Sequence, residues 1–271
     1  MALLPLIIDA SALNSALRLP DLLVVDLSSA ESYAKGHIPG AVHLDPKRLL
    51  RGDGPVPNRA PSATQLSQLF SELGLRPDLQ VVAYDDQMGP WAGRLIWSLH
   101  LAGHQQASFL DGQLPAWIAA GGMLETTPNQ PQPTTFNATI DSSLIADKAY
   151  LLQHLSDPDM AIWDARSPAE YRGDKVINAA KGGHIPGARN LEWTETLISA
   201  DNWRLKDRET LASMLLAQGF SPRHELVTHC QTHRRSGLTY IVARALGYPR
   251  VRCYDGSWFE WGNAPDTPVE S

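Results

Sequence analysis

The chain has little of two things that often organise a protein of this size, cysteine and long apolar runs. Its 271 residues contain only two cysteines, Cys230 and Cys253, which excludes a disulfide framework and a zinc site with four cysteine ligands. The apolar opening at 1–8 is interrupted by Pro5 and ends at Asp9, so it is too short to span a bilayer. It also lacks the basic leading segment of a signal peptide, and we therefore expect a cytoplasmic protein.

Basic charge is also scarce. Lys and Arg number 23 against 29 Asp and Glu, for a formal net charge of −6. A general surface for nucleic acid or for an anionic membrane needs an excess of basic groups, so we expect neither as a partner. Because 43% of the residues are apolar, the chain can bury one large core or two smaller ones without metals or crosslinks.

What the sequence does contain is an internal repeat. The hexapeptide GHIPGA occurs at 36–41 and again, unchanged, at 183–188. Other matching segments precede and follow it in the same order: 22–33 with 160–171, 82–95 with 226–239, and 110–117 with 254–261. Preserved order over this length indicates one structural unit that has been duplicated.

The segment between the two copies, 125–140, is rich in Pro, Thr and Asn. This composition predicts an extended linker, which leaves a first domain at 1–124 and a second at 141–271. In each domain, short apolar runs alternate with helical patterns. That alternation is typical of an α/β fold in which helices flank a parallel sheet.

A candidate reactive site lies in the second copy, in the loop HCQTHRRS at 229–236. Ligands of parallel sheets bind beyond the carboxyl ends of the strands, and this loop follows an apolar run. Helix-start N–H groups, a nest of loop N–H groups and the side chains of Arg234 and Arg235 would all favour an anion there and lower a thiol pKa. We therefore predict that Cys230 is a nucleophile; the alternative is an inert core thiol.

The first copy provides an internal control. In the alignment, uncharged or acidic residues replace the cysteine and two arginines of the second copy: Asp86 for Cys230, Trp91 for Arg235 and Ser28 for Arg166. We therefore predict that only the second domain is catalytic and that Arg166 has a functional role. Residues kept in both copies, such as Asp164 and His184, are expected to support the scaffold.

Cys253 has an apolar counterpart in the first copy, Phe109. An apolar counterpart in a strand-like run favours a packing role, so we expect Cys253 to be a core thiol.

Several of these segments resemble the tandem-domain rhodaneses, the thiosulfate sulfurtransferases. The motif from Tyr33 to Leu44, with HIPGA at its centre, is similar to the family's amino-terminal signature, and VRCYDGSWFEW at 251–261 is similar to its carboxy-terminal one. The CQTHRR loop at 230–235 is similar to that of the bacterial, Azotobacter-type rhodanese. The resemblance covers nearly the whole chain and implies two tandem rhodanese-like domains.

The resemblance implies a ping-pong sulfur transfer. Cys230 would take the outer sulfur of thiosulfate, release sulfite, and pass the sulfur from a persulfide to cyanide or a thiol. It implies that substrate and persulfide are bound by Arg166 and by the loop residues Gln231, Thr232, His233, Arg234 and Arg235. It requires no metal or organic cofactor. We expect a monomer, and sulfur-relay proteins are the class of protein partner that such a reaction admits.

Three other functions stay open. A mercaptopyruvate sulfurtransferase has a small uncharged loop, whereas two arginines favour a doubly charged donor such as thiosulfate. A persulfide carrier module would use the same cysteine with slow turnover. A rhodanese-like phosphatase or arsenate reductase has five residues between its cysteine and arginine, whereas Cys230 and Arg235 enclose four. The extra segment of the second copy, 172–182, would either line the active-site entrance or form a solvated loop.

Overall fold

The structure is a computed structural model that describes residues 4–271. The strands are β1 (Ile7–Ile8), β2 (Leu22–Asp26), β3 (Val42–His43), β4 (Gln80–Tyr84), β5 (Ala107–Leu110), β6 (Met160–Asp164), β7 (Arg189–Asn190), β8 (Leu197–Ser199), β9 (Asn202–Leu205), β10 (Glu225–His229) and β11 (Val251–Cys253). The α-helices are α1 (Ala10–Ala16), α2 (Ala30–Lys35), α3 (Ala63–Glu72), α4 (Pro90–Leu101), α5 (Gln113–Ala119), α6 (Lys148–His154), α7 (Pro168–Tyr171), α8 (Arg208–Ala217), α9 (Arg235–Leu246) and α10 (Ser257–Trp261).

Each half of the chain contains a parallel sheet with the same strand order. The first is β1-β5-β4-β2-β3, and the second is β11-β10-β6-β7, in which a parallel bridge between Ile145 and Cys253 stands in for β1. The second half also carries an antiparallel hairpin of β8 and β9. The predicted α/β duplication is therefore confirmed.

The central strands are buried along most of their length because helices cover both faces of each sheet. All five residues of β4 are buried, as are the last four of β10. Both strands end at the edge where parallel sheets present ligand-binding loops, and Cys230 is the first residue after β10.

The two domains meet through the equivalent helices α4 and α9. A Cβ added to Gly93 would lie 2.4 Å from the carbonyl oxygen of Gly237, and one added to Gly237 would lie 2.6 Å from the backbone nitrogen of Arg94. The largest group of buried apolar side chains continues across this contact, from Leu95 and Trp97 to Leu238. The domains therefore share a core rather than a hydrated contact.

The segment predicted to be a linker runs in extended form over the first domain. Backbone N–H groups of Thr134 and Thr139 bond to the carbonyls of Ser71 and Ala102, at 2.9 and 3.1 Å. Glu125 pairs its backbone with that of His37, so the segment is hydrogen-bonded to the first domain from its first residue onwards.

The repeated histidines lie in matching scaffolds, as expected from their presence in both copies. His37 stacks on Tyr33 and His184 stacks on Tyr171, each with ring centroids 3.7 Å apart. In each pair, the histidine Nδ1 also lies within hydrogen-bond distance of the tyrosine's carbonyl oxygen. These contacts hold the turn after each short helix.

Candidate functional site

Cys230 lies between β10 and α9, where the chain turns sharply. Its side chain is fully buried, and its N–H donates to Ser257 Oγ at 3.4 Å. The helix α9 begins five residues later, at Arg235, so the loop N–H groups and the first turn of the helix surround the sulfur. Such a nest of N–H groups favours an anion.

The two cysteines ionise differently although both are free and buried. Burial by itself raises the pKa of the Cys230 thiol, but the Arg235 guanidinium, the hydroxyl and N–H of Ser236 and the N–H of Thr232 together bring that pKa below its usual value. Cys253 has no comparable donors, and burial raises its pKa well above the usual value. The predicted division into a reactive and an inert thiol agrees with these surroundings.

Arg235 is held in place by Glu170, a residue that sequence reasoning missed. The guanidinium donates to both carboxylate oxygens at 2.8 Å. Although burial opposes ionisation, the bond to Arg235 lowers the pKa of Glu170 to about 2. Glu170 also closes a capping box with Ser167 at the start of α7. The Ser-x-x-Glu pattern is the sequence signal that could have pointed to it, since the first copy has Ser32 in the position that matches Glu170.

The structure does not place Arg166 in the site. Its side chain is 1% exposed, bonds to both carboxylate oxygens of Asp164 and to the carbonyl of Gly183, and lies 4.3 Å above the ring of Trp258. The Nε and Nη2 donors of Arg166 are committed to the scaffold in this way, and the substrate-binding role expected for Arg166 stays a prediction.

His233 also faces away from substrate. Its ring is fully buried at the domain interface, where Nδ1 lies 2.7 Å from Ser236 Oγ and the ring packs edge-on against Trp97. Burial holds the pKa of His233 well below its usual value, so the ring is neutral. The His233 side chain therefore lies away from the pocket, and the binding role predicted for this loop residue stays a prediction that concerns its backbone N–H.

The residue equivalent to Cys230 in the first domain is Asp85, not Asp86. Strand pairing sets Asp26 opposite Tyr84 and, in the second copy, Asp164 opposite His229, so the next residues, Asp85 and Cys230, correspond. By the same register, Pro90 rather than Trp91 occupies the position of Arg235. The sequence alignment was one residue out because it matched Gly93 with Gly237.

A carboxylate fills the first domain's nest. Asp85 accepts hydrogen bonds from four backbone N–H groups, those of Gln87, Gly89, Trp91 and Ala92, at 2.8 to 3.1 Å. The side chain thus occupies the space that an exogenous anion would need. This agrees with the prediction that the first domain is not catalytic.

A pocket of about 790 Å³ opens above the cysteine loop, and both domains line it. The second domain contributes Gln231, Thr232, Arg234 and Arg235 together with Phe259; the first contributes Lys47, Leu50 and Trp91. Arg234 lies 5.7 Å from the Trp91 ring and donates to Gln87 Oε1 at 3.2 Å. The first domain therefore forms part of the wall of the site, which the sequence did not reveal.

The extra segment at 172–182 lines part of the pocket, and none of its residues is fully buried. Lys175 and Ile177 line the pocket, and the carbonyl of Ile177 accepts a bond from the Gln231 side chain at 2.5 Å. Lys181 lies farther along and donates to the carbonyls of Ala264 and Thr267.

The pocket is cationic and partly apolar. Lys47, Lys175, Arg234 and Arg235 are its basic residues, and its one acidic residue, Glu170, is paired with Arg235. An anionic molecule would be attracted to it and brought close to the loop that contains Cys230. Across residues 4–271, no three His, Cys, Asp or Glu side chains are grouped to hold a metal ion. No helix in this described part of the chain is long and apolar enough to cross a bilayer.

Comparisons with known proteins agree with the duplicated architecture. The Rhodanese-like domain family matches at 9–120 and again at 147–264. A thiosulfate sulfurtransferase from Azotobacter vinelandii is 51% identical over 269 residues, covering 99% of this chain and 98% of the relative. One from Pseudomonas aeruginosa is 50% identical, covering 98% and 97%. The crystal structure of Escherichia coli SseA, a 3-mercaptopyruvate sulfotransferase, superposes with a TM-score of 0.82 at 26% identity, covering 94% of this chain and 99% of that one.

Proposed function

We propose that this chain, which belongs to the rhodanese-like family, is a thiosulfate sulfurtransferase that works through a persulfide on Cys230. The observation that carries the proposal is a buried thiol with a lowered pKa beneath a cationic pocket. The full-length identity to two thiosulfate sulfurtransferases supports the same donor.

The reaction balances with the groups present and without a cofactor. The Cys230 thiolate attacks the outer sulfur of thiosulfate, the S–S bond of thiosulfate breaks, and sulfite leaves with the electron pair. A thiophilic acceptor such as cyanide then attacks the outer sulfur of the persulfide, so thiocyanate forms and the thiolate returns. Splitting the transfer into two substitutions is covalent catalysis by an activated nucleophile.

Each loop group has a role in this cycle. Arg235 stabilises the thiolate and, through the N–H donors that its two bonds to Glu170 leave free, binds the sulfonate end of thiosulfate, while Arg234 adds charge at the rim. The N–H groups that follow Gln231 stabilise the persulfide anion, and Thr232 adds a hydroxyl at the pocket wall. The pocket opens to solvent, which leaves room for small thiols or a sulfur-relay protein as acceptor.

The remaining functions are distinguished by product and by donor. The four residues enclosed by Cys230 and Arg235 make a cradle for a single sulfur rather than for phosphate or arsenate. Mercaptopyruvate carries one carboxylate, whereas the four basic side chains of the pocket favour a doubly charged donor. We therefore expect a higher kcat/KM for thiosulfate than for mercaptopyruvate, measured on the same enzyme.

Intact-mass analysis tests the persulfide. We expect thiosulfate to add one sulfur atom to the parent protein, cyanide to remove it, and Cys230→Ala to abolish both the added mass and thiocyanate formation. Cys253→Ala is the matched control, since it removes a buried thiol with a raised pKa and should leave the added sulfur in place.

Thiocyanate formation by the C230A protein at near the parent rate would refute the mechanism. A stable persulfide with negligible cyanide-dependent turnover would instead identify a sulfur carrier. Hydrolysis of an aryl phosphate by the parent protein would identify a phosphatase.

A further inference from the structure

Arg94 extends from α4 of the first domain into the backbone of the cysteine loop. Its side chain is fully buried. Its guanidinium donates to four backbone carbonyls, those of Leu49 (3.1 Å), Asn58 (2.7 Å), Thr232 (3.2 Å) and His233 (3.0 Å). Burial lowers the pKa of Arg94 to about 10, which leaves it cationic at neutral pH.

The two loop carbonyls determine where the neighbouring N–H groups point. In a trans peptide the C=O and N–H lie on opposite sides, and the described chain has no cis peptide bond. When Arg94 binds the carbonyls of Thr232 and His233, the N–H groups of His233 and Arg234 face away from it. The N–H groups that lower the pKa of Cys230, those of Thr232 and Ser236, come directly before and shortly after these two peptides in the loop, so holding the peptides also holds those donors in place.

The loop needs such support because part of it is strained. His233 has a φ of +56°, a left-handed conformation that is unfavourable for a non-glycine residue. One helical turn after Arg94, Trp97 packs edge-on against the His233 ring with centroids 4.4 Å apart. Two side chains of the first domain therefore hold His233 in place. Arg94 bonds to its backbone carbonyl, and Trp97 packs against its ring.

This arrangement is not part of the duplicated scaffold. The residue at the same position of α9 is Thr239, whose hydroxyl lies 2.5 Å from that of Thr228 within its own domain. The reciprocal contact from the second domain to the first domain's loop is therefore not made by this position. The contact from Arg94 runs one way, towards the loop that contains Cys230.

We propose that Arg94 is a positioning residue for sulfur transfer, which orients the loop N–H groups and adds a buried positive charge near the reactive sulfur. The inference rests on the proposed function for its kinetic readout alone. It gives the first domain a part in the reaction beyond forming a wall of the pocket.

The test measures Cys230 ionisation separately from catalysis. The rate at which iodoacetamide alkylates Cys230 is followed against pH in the parent, Arg94→Met and Arg94→Lys proteins, with the modified peptide identified by mass. We expect the pH midpoint of this alkylation profile to be higher in R94M than in the parent. Below the midpoint, alkylation of Cys230 then slows about tenfold, which corresponds to about 1.4 kcal/mol. R94K keeps the charge but not the fork, so its midpoint should lie between the other two, with kcat for thiosulfate reduced.

Arg59→Met is the matched control, because Arg59 also joins the domains but does so through an ion pair with Glu260. It should lower the melting temperature without moving the alkylation midpoint. If R94M likewise loses only stability and keeps the parent midpoint and kcat, the proposal is overturned. If R94M does not fold, the R94K protein decides on the same readout: a parent-like midpoint and kcat would overturn the proposal. A parent protein that forms no persulfide would refute the proposed function, while the alkylation midpoint would still test Arg94.

Discussion

Single side chains separate the pKa values of the two buried thiols. Cys230 and Cys253 are both fully buried, and burial alone raises the pKa of each. What separates them is Arg235 and the N–H groups around Cys230, since a charge and several donors outweigh desolvation. Arg235 in turn depends on Glu170, which orients the guanidinium through two hydrogen bonds.

The Glu170–Arg235 pair predicts a pH dependence of stability. The folded-state pKa of Glu170 is about 2, below its ordinary value, so the pair stabilises the protein above the unfolded pKa. That contribution is lost as pH falls towards 2. In denaturant unfolding, we expect the parent to exceed Glu170→Gln in free energy of unfolding near neutral pH, and the difference to shrink on acidification below about pH 4.5.

Glu31→Gln is the control for this prediction. Glu31 pairs with Lys35 on the surface, where both side chains are mostly exposed, so its removal should change the free energy of unfolding little at any pH. A difference between the parent and E170Q proteins that stays constant from neutral pH to pH 2 would contradict the argument.

At the scale of elements, the two copies share the same strand-to-helix loop conformation. Each copy places a non-glycine residue with left-handed φ at the same position, Met88 and His233. In each copy, the N–H of the first loop residue also donates to a side chain of the next strand-to-helix turn. Asp85 donates to Gln113, and Cys230 donates to Ser257. The two loops therefore differ in what fills the nest, the Asp85 carboxylate in the first copy and the Cys230 sulfur in the second.

This comparison predicts the effect of changing Asp85. Asn has one acceptor oxygen, so Asp85→Asn would turn an NH₂ group towards some of the four backbone N–H groups that the carboxylate now satisfies. We expect the free energy of unfolding to fall by about 1–3 kcal/mol. Persulfide formation on Cys230 should persist, because its own loop is untouched.

Asp86→Asn is the matched control, since Asp86 accepts one bond, from the N–H of Ser29 at 3.2 Å. Its effect on urea unfolding should be smaller than that of Asp85→Asn. An equal or larger loss of stability in the D86N protein would favour the sequence alignment, in which Asp86 rather than Asp85 matches Cys230.

At the scale of the whole molecule, the two domains work as one body because α4 and α9 touch backbone to backbone. Gly93 and Gly237 permit that approach. It brings Arg94 within reach of the cysteine loop and Trp91 to the pocket wall. A first domain without a nucleophile thus still shapes the site.

The close contact predicts that Gly93→Ala is destabilising. The added methyl group would meet the Gly237 carbonyl at 2.4 Å, and backbone cannot move aside as a side chain can. We expect the free energy of unfolding in urea to fall by about 1–3 kcal/mol, which is typical of an overpacked core.

Gly36→Ala is the comparison for that prediction. Gly36 has an extended φ of 162°, and a Cβ there would meet the side chain of Leu124, which is partly exposed and able to move. Its effect should be small. A G93A protein as stable as the parent would show that the helices separate without cost.

The sequence by itself determined the duplication, the parallel α/β fold and the candidate nucleophile. These follow from order and periodicity along the chain: repeated motifs, buried apolar runs, and a cysteine beside two arginines at the end of one run. Such features are local, so they are visible before the chain folds.

Only the tertiary structure decided which distant groups act on that cysteine. It turned Arg166 and His233 inward, joined Arg235 to Glu170 across 65 residues, and brought Arg94 of the other domain onto the loop carbonyls. It also shifted the register of the first domain's nest by one residue, to Asp85. Hydrogen-bond partners and helix contacts depend on packing in three dimensions, and a linear pattern carries no record of them.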